Sequence, residues 1–294
     1  MAIIDEIKNS FRKGTVLNKL IYVNVGIFLL VQLVHIGIVL SNAPEAYDSF
    51  MRLLAVPSGL ETLKVRFWTL FTYMFFHKDF FHILFNMLLF FWFGRLFMAE
   101  LGEKKLLGIY LLGGLAGAIL YIAAYNLFPF FDAVVDQSIA LGASASVIAV
   151  VMAVSVYVPE RRMHLVFIGP VKIIYVALFF FIISSVVDFT VNTGGKIAHM
   201  GGALVGVLFA LNYKQGKDIT RGFDRLMDRI VSWFKPGRSK MKVTHRRPVS
   251  DLEYNKRKVE EQKEIDRILD KISRAGYDSL TKSEKEMLFK MKKK

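Results

Sequence analysis

Residues 106–131 read LLGIYLLGGLAGAILYIAAYNLFPFF, a stretch without a single charged side chain. A helix needs about 20 mostly apolar residues to cross the hydrocarbon core of a bilayer, which is roughly 30 Å thick. This stretch is long enough to cross, and the chain contains five others of the same kind. The uncharged runs cover residues 20–44, 80–94, 106–131, 137–159, 173–187 and 197–213.

Four of these runs are long enough to cross as they stand, and two need an extension. The second run extends past Arg95 to Ala99, because an arginine near a helix end can reach the interface with its long side chain. The fifth run extends past Asp188. The sequence therefore predicts an all-α polytopic membrane protein with six transmembrane helices. The apolar segment from Phe67 to His77 is too short to cross and is expected to be interfacial or re-entrant.

The charge of the chain is unevenly distributed. Residues 1–213 hold 15 Lys and Arg against 12 Asp and Glu, whereas residues 214–294 hold 24 against 13. Most of the formal net charge of +14 thus lies behind the apolar part of the chain. We divide the chain into an amphipathic N-terminal segment (1–19), a six-helix membrane domain (20–213) and a basic, helical cytoplasmic tail (214–294).

Lysine and arginine indicate the orientation, because short basic flanks stay in the cytoplasm. Basic residues lie in the N-terminal segment, in the turns after spans 2 and 4, and in the tail, whereas the loop from Asn126 to Gln137 has none. Both termini are therefore expected in the cytoplasm, and spans 2, 4 and 6 run from outside to inside. No signal peptide is needed, and we expect an integral protein of a bacterial inner or plasma membrane.

The residue types that are missing exclude several chemistries. The chain has no cysteine, which excludes a disulfide scaffold, a Cys-ligated metal site and a thiol nucleophile. The zinc-protease motif His-Glu-x-x-His is absent, and Asp188 alone is too few carboxylates for an aspartyl protease. No convincing internal repeat indicates a transporter. We therefore expect neither a metal nor a cofactor.

Three motifs place polar groups near the outer ends of spans 2, 4 and 6. Polar groups in hydrocarbon are costly, so their occurrence at similar depth predicts a shared site. In the first motif the histidine and the asparagine are four residues apart and share one helix face. The motifs are His82-Ile83-Leu84-Phe85-Asn86, Gly142-Ala143-Ser144-Ala145-Ser146 and Ala198-His199-Met200-Gly201-Gly202.

A serine, two histidines and an asparagine can together carry out acyl transfer. A serine hydroxyl is a weak nucleophile until a base takes its proton, and histidine is the usual base. The developing oxyanion needs fixed donors, which Asn and His side chains and a backbone N–H can supply. No acidic third member is evident beside Ser144 and His199.

Each of these residues also fits a purely structural role. A lone serine or asparagine in a membrane helix usually joins helices, and small residues four apart let two helices approach closely. Gly142 with Ser146, and Gly202 with Gly206, form such pairs. Packing and function do not compete here, because close approach of spans 4 and 6 would also bring the serine of one to the histidine of the other.

At these residues the sequence resembles the rhomboid intramembrane serine proteases. The resemblance covers roughly residues 20–213 and keeps the family's order of His-x-x-x-Asn, Gly-x-Ser and Ala-His-x-x-Gly. It implies that Ser144 is the nucleophile and His199 the general base, a dyad without an acid. It also implies that His82 and Asn86, together with the backbone N–H of the nucleophile, form the oxyanion hole.

The sequence departs from the family pattern at three positions. Ala145 follows the nucleophile where glycine is frequent, and Ile148 stands where an aromatic ring often packs on the catalytic histidine. Thr69, after Trp68, takes the place of an arginine in the first loop. None of these changes removes a reacting group. Ser146 is an alternative nucleophile, but two residues further on it should face elsewhere on the helix.

The resemblance implies an intramembrane serine endopeptidase that cleaves transmembrane segments of membrane proteins near the outer face. Its expected partners are the lipid bilayer and membrane-protein substrates with helix-destabilised transmembrane segments. The alternative is a proteolytically inactive rhomboid-like protein that binds membrane clients for quality control. A small transporter is a third interpretation, which predicts a substrate flux that survives loss of the serine.

The tail is expected to be helical. Residues 221–235 place apolar side chains at helical spacing with basic residues between them, which suits a helix on an anionic membrane surface or against a partner. Ser250-x-x-Glu253 and Thr281-x-x-Glu284 match capping boxes. Nucleic acid is not expected, because charges of both signs alternate and aromatic residues are sparse. Docking of a cytoplasmic partner is the preferred interpretation of the tail.

Overall fold

The computed structural model describes residue 11 and residues 13–43, 45–166, 168–234 and 251–291. The chain divides into two compact units, residues 1–235 and 236–294, and each is described by itself. In chain order the helices are α1 (Val16–Leu40), α2 (Glu45–Leu54), α3 (Leu60–Val65), α4 (Thr69–Thr72), α5 (Phe80–Leu101), α6 (Glu103–Leu127), α7 (Ser144–Tyr157), α8 (Ile173–Ser185), α9 (Thr193–Lys214), α10 (Arg221–Phe234), α11 (Asp251–Ala275) and α12 (Lys282–Met291).

Two antiparallel sheets of two strands each interrupt the helices. β1 (Val56–Pro57) pairs with β2 (Ile139–Ala140), and β3 (Arg162–Leu165) pairs with β4 (Gly169–Lys172). The predicted all-α class therefore holds in the coarser sense that the chain is mostly helical. The sequence did not predict these sheets, because strands of two to four residues are too short to show a period-two pattern.

Among the described residues, four helices are long and apolar enough to cross a membrane, namely α1, α5, α6 and α9. α7 and α8 are apolar but have only 14 and 13 residues. At 1.5 Å per residue they are about 21 and 20 Å long, less than the roughly 30 Å hydrocarbon core. The predicted run of residues 137–159 yields a shorter helix because β2 and a turn occupy its beginning. The chain is thus a membrane protein, with four helices of spanning length and two shorter ones.

The α7 helix lies at the centre of the membrane domain. Its residues from Ala145 to Ser155 are all buried, and α5, α6 and α9 pack around it. The contact with α9 depends on glycine. A Cβ atom at Gly202 would lie 2.1 Å from the carbonyl oxygen of Ala145, and one at Gly206 would lie 2.3 Å from that of Ala149. The two backbones therefore meet directly, as pairs of small residues allow.

Buried tyrosines hold the segment before α5 against its neighbours. The Tyr110 hydroxyl donates to the Met74 carbonyl at 3.0 Å and accepts from Asn24 Nδ2 at 3.1 Å. The Tyr73 hydroxyl donates to a backbone carbonyl of α6 at 2.6 Å. Residues 67–77, which the sequence predicts to be too short to cross, form α4 and one 3-10 turn in this position.

A charged cluster attaches the start of α10 to the first turn of α6. Lys105 Nζ contacts the Asp218 carboxylate and lies 2.6 Å from Asp224 Oδ2 and 3.0 Å from Thr220 Oγ1. Burial raises the pKa of Asp218, but hydrogen bonds from Lys105 and Thr220 outweigh it and lower that pKa below its ordinary value. The amphipathic stretch of the tail therefore begins in contact with the membrane domain.

In the second unit, the described residues 251–291 include α11, a 3-10 turn and α12. The Thr281 N–H donates to Glu284 at 2.7 Å, and the Glu284 N–H donates to Thr281 Oγ1 at 3.4 Å, which confirms the predicted capping box. Lys271 lies 3.0 Å from the same carboxylate. The Thr281 N–H, followed by Lys271, lowers the pKa of Glu284 from 4.5 to about 2. This stabilisation is present above pH 4.5 and is lost as the pH falls towards 2.

Some predicted features involve residues outside those that the structure describes. Ser250 of the other predicted capping box is one of them. Residues 1–10 of the predicted N-terminal segment and residues 235–249 of the predicted tail are others. The predictions for these segments stay predictions.

We predict that Gly206→Ala destabilises the membrane domain, because the added methyl meets the backbone of α7. Overpacking of this kind costs about 1–3 kcal/mol. Gly26→Ala on α1 is the matched control, since nothing lies within 4 Å of its Cβ position. Thermal unfolding of both purified variants in the same detergent measures the difference. Equal stability of the two variants would contradict the close helix contact.

Candidate active site

Ser144 and His199 form a close contact inside the membrane domain. Ser144 is the first residue of α7, and His199 lies in the second turn of α9. The distance between His199 Nε2 and Ser144 Oγ is 2.7 Å, which is a hydrogen bond. The serine is half-buried and the histidine is buried. The structure therefore brings together the two residues that the sequence singles out as nucleophile and base.

A backbone carbonyl fixes the tautomer of this histidine. His199 Nδ1 lies 3.0 Å from the carbonyl oxygen of Ser184 on α8. A carbonyl can only accept a hydrogen bond, so Nδ1 carries the proton and Nε2 presents its lone pair. The Ser144 hydroxyl must then donate to Nε2, which is the arrangement in which histidine can take the serine proton. Among the described residues, no carboxylate contacts His199.

Asp188, the carboxylate noted in the sequence, takes part in the turn before α9. Its backbone is left-handed, with φ of 50°, and its Oδ1 accepts from Thr190 Oγ1 at 3.1 Å. Lys196 is buried and donates to the carbonyl of Val187. These contacts shape the beginning of α9. In the part of the chain that the structure describes, no acidic side chain joins Ser144 and His199 as a third member.

The turn before Ser144 is held by the segment that precedes α5. The Gly142 N–H donates to the Tyr73 carbonyl at 3.0 Å, and the Ala143 N–H donates to His77 Nε2 at 3.3 Å. Gly142 has a φ of 130°, a conformation that favours glycine. The sequence predicts that Gly142 lies in a helix–helix contact. It lies before the helix, which begins at Ser144, and therefore serves the turn.

His82 lies on the other side of this turn. A Cβ atom at Gly142 would lie 2.9 Å from His82 Cε1 and 3.6 Å from Ser144 Oγ, so the glycine leaves the space between them open. The His82 N–H donates to Asp79 Oδ1 at 2.8 Å, which caps α5. The ring centroids of His82 and His77 are 5.1 Å apart. The first turn of α5 thus faces the beginning of α7.

Asn86 lies one turn further along α5 and is buried. Its Nδ2 donates to the His82 carbonyl at 2.9 Å, and the amide has a second N–H hydrogen. At the neighbouring end of α7, the first N–H groups lack intrahelical acceptors, as in every helix. The structure therefore places Asn86 one turn after His82 on α5, with one of its two amide hydrogens engaged by its own helix.

The neighbours of Ser144 face the protein interior. Ser146 is fully buried, and its Oγ lies 3.8 Å from Met74 Sδ, on a different side of α7. The methyl group of Ala145 fills the space above Gly117, where a Cβ atom would lie only 2.6 Å away. This alanine, where the family often has glycine, is accommodated because the facing residue on α6 has no side chain.

Residue types alone do not reveal the roles of the Ser184 carbonyl, the Tyr73 carbonyl or the contact of His77 with Ala143. The first two are backbone groups, which leave no mark in residue type. His77 was visible as a histidine near the motif, but its contact with Ala143 depends on how the loop folds.

Comparison with known proteins agrees with this architecture. Residues 64–215, about half of the chain, match the family model described as Rhomboid domain. Residues 250–294 match a second model, described as Family of unknown function (DUF6576). The chain is 26% identical over 208 residues to RHOMBOID-like protein 12, mitochondrial, of Arabidopsis thaliana. The aligned region covers 67% of this chain and 58% of that protein.

The fold and site define a mostly helical membrane protein with a serine and a histidine in contact between two packed helices. With the match to the Rhomboid domain, the chain belongs to the rhomboid family. It spans about 58% of the length of the curated relative it matches.

We predict that Gly142→Ala is more destabilising than Gly216→Ala. Both glycines have positive φ, at 130° and 76°, where an L-residue costs about 1–2 kcal/mol. Nothing lies near the Cβ position of Gly216, whereas that of Gly142 meets the His82 ring. Thermal unfolding of the two variants separates backbone strain from the clash. A larger loss for Gly216→Ala would contradict the described turn.

Proposed function

We propose that this chain is an intramembrane serine endopeptidase in which Ser144 is the nucleophile and His199 the general base. The observation that carries the proposal is the 2.7 Å contact between Ser144 Oγ and His199 Nε2, with Nδ1 held by the Ser184 carbonyl. Membership of the rhomboid family supports this class of reaction, since the family model covers both residues.

The reaction follows from the direction of the hydrogen bonds. His199 takes the proton of Ser144 as Oγ attacks a peptide carbonyl of the substrate, and then gives it to the leaving amine. An acyl-enzyme remains, and a water molecule activated by the same histidine hydrolyses it. The Ser184 carbonyl supports the imidazolium because its dipole points towards Nδ1–H. In a catalytic triad a carboxylate orients the histidine, and here the Ser184 carbonyl would orient it.

The oxyanion would be stabilised by groups from two helices. Backbone N–H groups at the start of α7, where the positive end of the helix dipole lies, would donate to it. The His82 imidazole and the Asn86 amide add side-chain donors from α5. Asn86 can use its second N–H hydrogen while the first stays with the His82 carbonyl. This arrangement is complementary to a tetrahedral intermediate attached to Ser144.

We further propose six membrane spans, with α7 and α8 crossing by means of non-helical flanks. Irregular backbone at membrane depth is tolerated where it is buried in protein or lines a water-filled cavity. The residues before Ser144 meet this condition, because β1, Tyr73 and His77 satisfy their backbone groups. A serine at the start of a short helix can thus lie below the membrane surface and still receive water for hydrolysis.

The substrate would be a transmembrane segment of another membrane protein. Cleavage needs an exposed peptide carbonyl, which an intact helix keeps hydrogen-bonded, so glycine or proline near the scissile bond should favour it. The basic turns and tail favour an orientation with both termini in the cytoplasm and the site near the outer face of a bacterial inner or plasma membrane. A cytoplasmic partner for residues 251–291 belongs to the same proposal.

We predict that Ser144→Ala and His199→Ala each abolish cleavage of a single-span model substrate by the purified protein in liposomes. Ser146→Ala is the matched control, because it removes the same hydroxyl two residues away, where the side chain faces Met74. This control should cleave at nearly the rate of the unaltered chain. Gel analysis of the products, with labelling by a serine-directed fluorophosphonate, measures both properties.

The same experiments distinguish the proposed protease from the alternative functions. A proteolytically inactive rhomboid-like protein that binds membrane clients would show no cleavage and no Ser144-dependent labelling, while still retaining clients. A transporter would show flux that is insensitive to Ser144→Ala. Undiminished cleavage by Ser144→Ala would falsify the assigned nucleophile, and loss of cleavage in Ser146→Ala alone would move that role to Ser146.

We predict a smaller effect for Asn86→Ala, a decrease in kcat of about tenfold to thousandfold, as for removal of one oxyanion donor. KM should change little, because the interaction is made mainly in the transition state. Steady-state kinetics with the model substrate measures both constants. A rise in KM with unchanged kcat would assign Asn86 to substrate binding and contradict its role in the oxyanion hole.

A further inference from the structure

A groove of about 310 Å³ lies between the second half of α5 and the β3–β4 hairpin. The proposed reaction uses none of its residues. Its lining combines an indole, a guanidinium and an imidazole with aliphatic side chains. The lining residues are Trp92, Arg95, Met163, His164, Leu165 and Val166.

By the lengths of its helices, the groove lies at the end of the domain opposite Ser144, where we expect a membrane interface. Arg95 lies about 22 Å along the helix axis from Phe80, and α5 continues for about 9 Å to Leu101. α7 begins beside the first turn of α5 and runs about 21 Å to Tyr157 before the hairpin starts. The hairpin is therefore level with the last two turns of α5, where hydrocarbon gives way to headgroups.

The hairpin is polar at its base and apolar at its tip. Its backbone is paired from Arg162 with Lys172 to Leu165 with Gly169. Beyond this ladder, Val166 is 91% exposed. Such exposure of apolar surface is unfavourable in water, at about 25 cal/mol per Å². An element with a charged base and an apolar tip at this depth fits a position in which the tip enters the lipid.

Arg95 supplies the charge of the groove. Its guanidinium lies 5.5 Å from the centroid of the Phe91 ring, and in the part of the chain described no carboxylate pairs with it. Guanidinium groups bind phosphate in a planar, bidentate geometry. Trp92, 45% exposed beside it, is the residue type that marks the interface in membrane proteins. The groove therefore offers one cationic end and one apolar side.

We propose that this groove binds one glycerophospholipid, whose phosphate pairs with Arg95 and whose acyl chain lies along Leu165 and Val166. The two ends of such a lipid match the two parts of the lining. A free anion would use only the guanidinium, and a phosphate-free lipid would use only the apolar wall. This difference makes the proposal testable without reference to proteolysis.

The first experiment is native mass spectrometry of the full chain, delipidated in detergent and titrated with phosphatidylglycerol. One lipid should remain bound to the unaltered protein under activation that strips the others. Arg95→Gln should bind it about tenfold more weakly, because it removes a charge-assisted hydrogen bond. Arg95→Lys should keep most of the affinity. Lys104→Gln removes an exposed charge from the first turn of α6 and should bind as the unaltered protein does.

Further titrations show which chemical group of the lipid the groove recognises. Diacylglycerol with the same chains should bind more weakly than phosphatidylglycerol and should not distinguish Arg95→Gln from the unaltered protein. Displacement of the lipid by inorganic phosphate would identify an ion site and overturn the proposal. Equal affinity of the unaltered protein for both lipids would also overturn it, even if Arg95→Gln failed to fold.

The second experiment tests the depth of the hairpin tip. Because the chain has no cysteine, Val166→Cys can carry a single nitroxide label in lipid nanodiscs. The label should be accessible to oxygen and protected from a water-soluble nickel complex, like a label at Ile182→Cys on the lipid-facing side of α8. A label at Arg161→Cys provides the water-exposed reference. Equal nickel accessibility at positions 166 and 161 would contradict insertion of the tip.

Discussion

The direct contact of two backbones, that of α9 at Gly202 and Gly206 with that of α7, is the constraint on which the site depends. Lipid tails are as apolar as leucine, so helices in a bilayer gain little from burying hydrophobic surface and associate through close packing. Side chains of ordinary size at these two positions would separate the helices. The hydrogen bond between Ser144 and His199 tolerates little displacement, because hydrogen bonds weaken steeply with distance and angle. The packing that stabilises the domain therefore also sets the distance between Ser144 Oγ and His199 Nε2.

A second constraint comes from the backbone of the turn before Ser144. Unsatisfied N–H groups away from water cost several kcal/mol, at roughly 2–7 kcal/mol by transfer data, so an irregular segment needs specific acceptors. Tyr73 and His77 provide two of them, and the β1–β2 ladder provides others. The chain before α5 is in turn fixed by Tyr110 and Asn24. Rigidity at the serine thus originates in buried polar contacts, although the surrounding domain is overwhelmingly apolar.

The sequence predicted the features that residue type encodes. Uncharged runs located the four apolar helices of spanning length, and the polar motifs predicted that Ser144 and His199 meet. It could not predict features that depend on backbone geometry. The 139–143 stretch is as apolar as a helix, yet forms a strand and a turn, and Gly142 owes its role to a φ value. The cluster of Lys105 with Asp218 and Asp224 joins residues more than a hundred positions apart, with no periodicity to reveal it.

The least buried part of the site is the helix that carries the Ser184 carbonyl. Few residues of α8 are buried, namely Ile173, Val176, Ala177 and Ser185, whereas nearly every residue of α7 is. Helices with few buried contacts open at lower free energy than the core. If α8 moves outward, His199 loses the acceptor that keeps the proton on Nδ1, and Nε2 is no longer held as the acceptor for Ser144. The hydrogen bond between Ser144 and His199 is therefore coupled to the position of α8, the least buried helix of the site, which begins directly after the hairpin at Lys172.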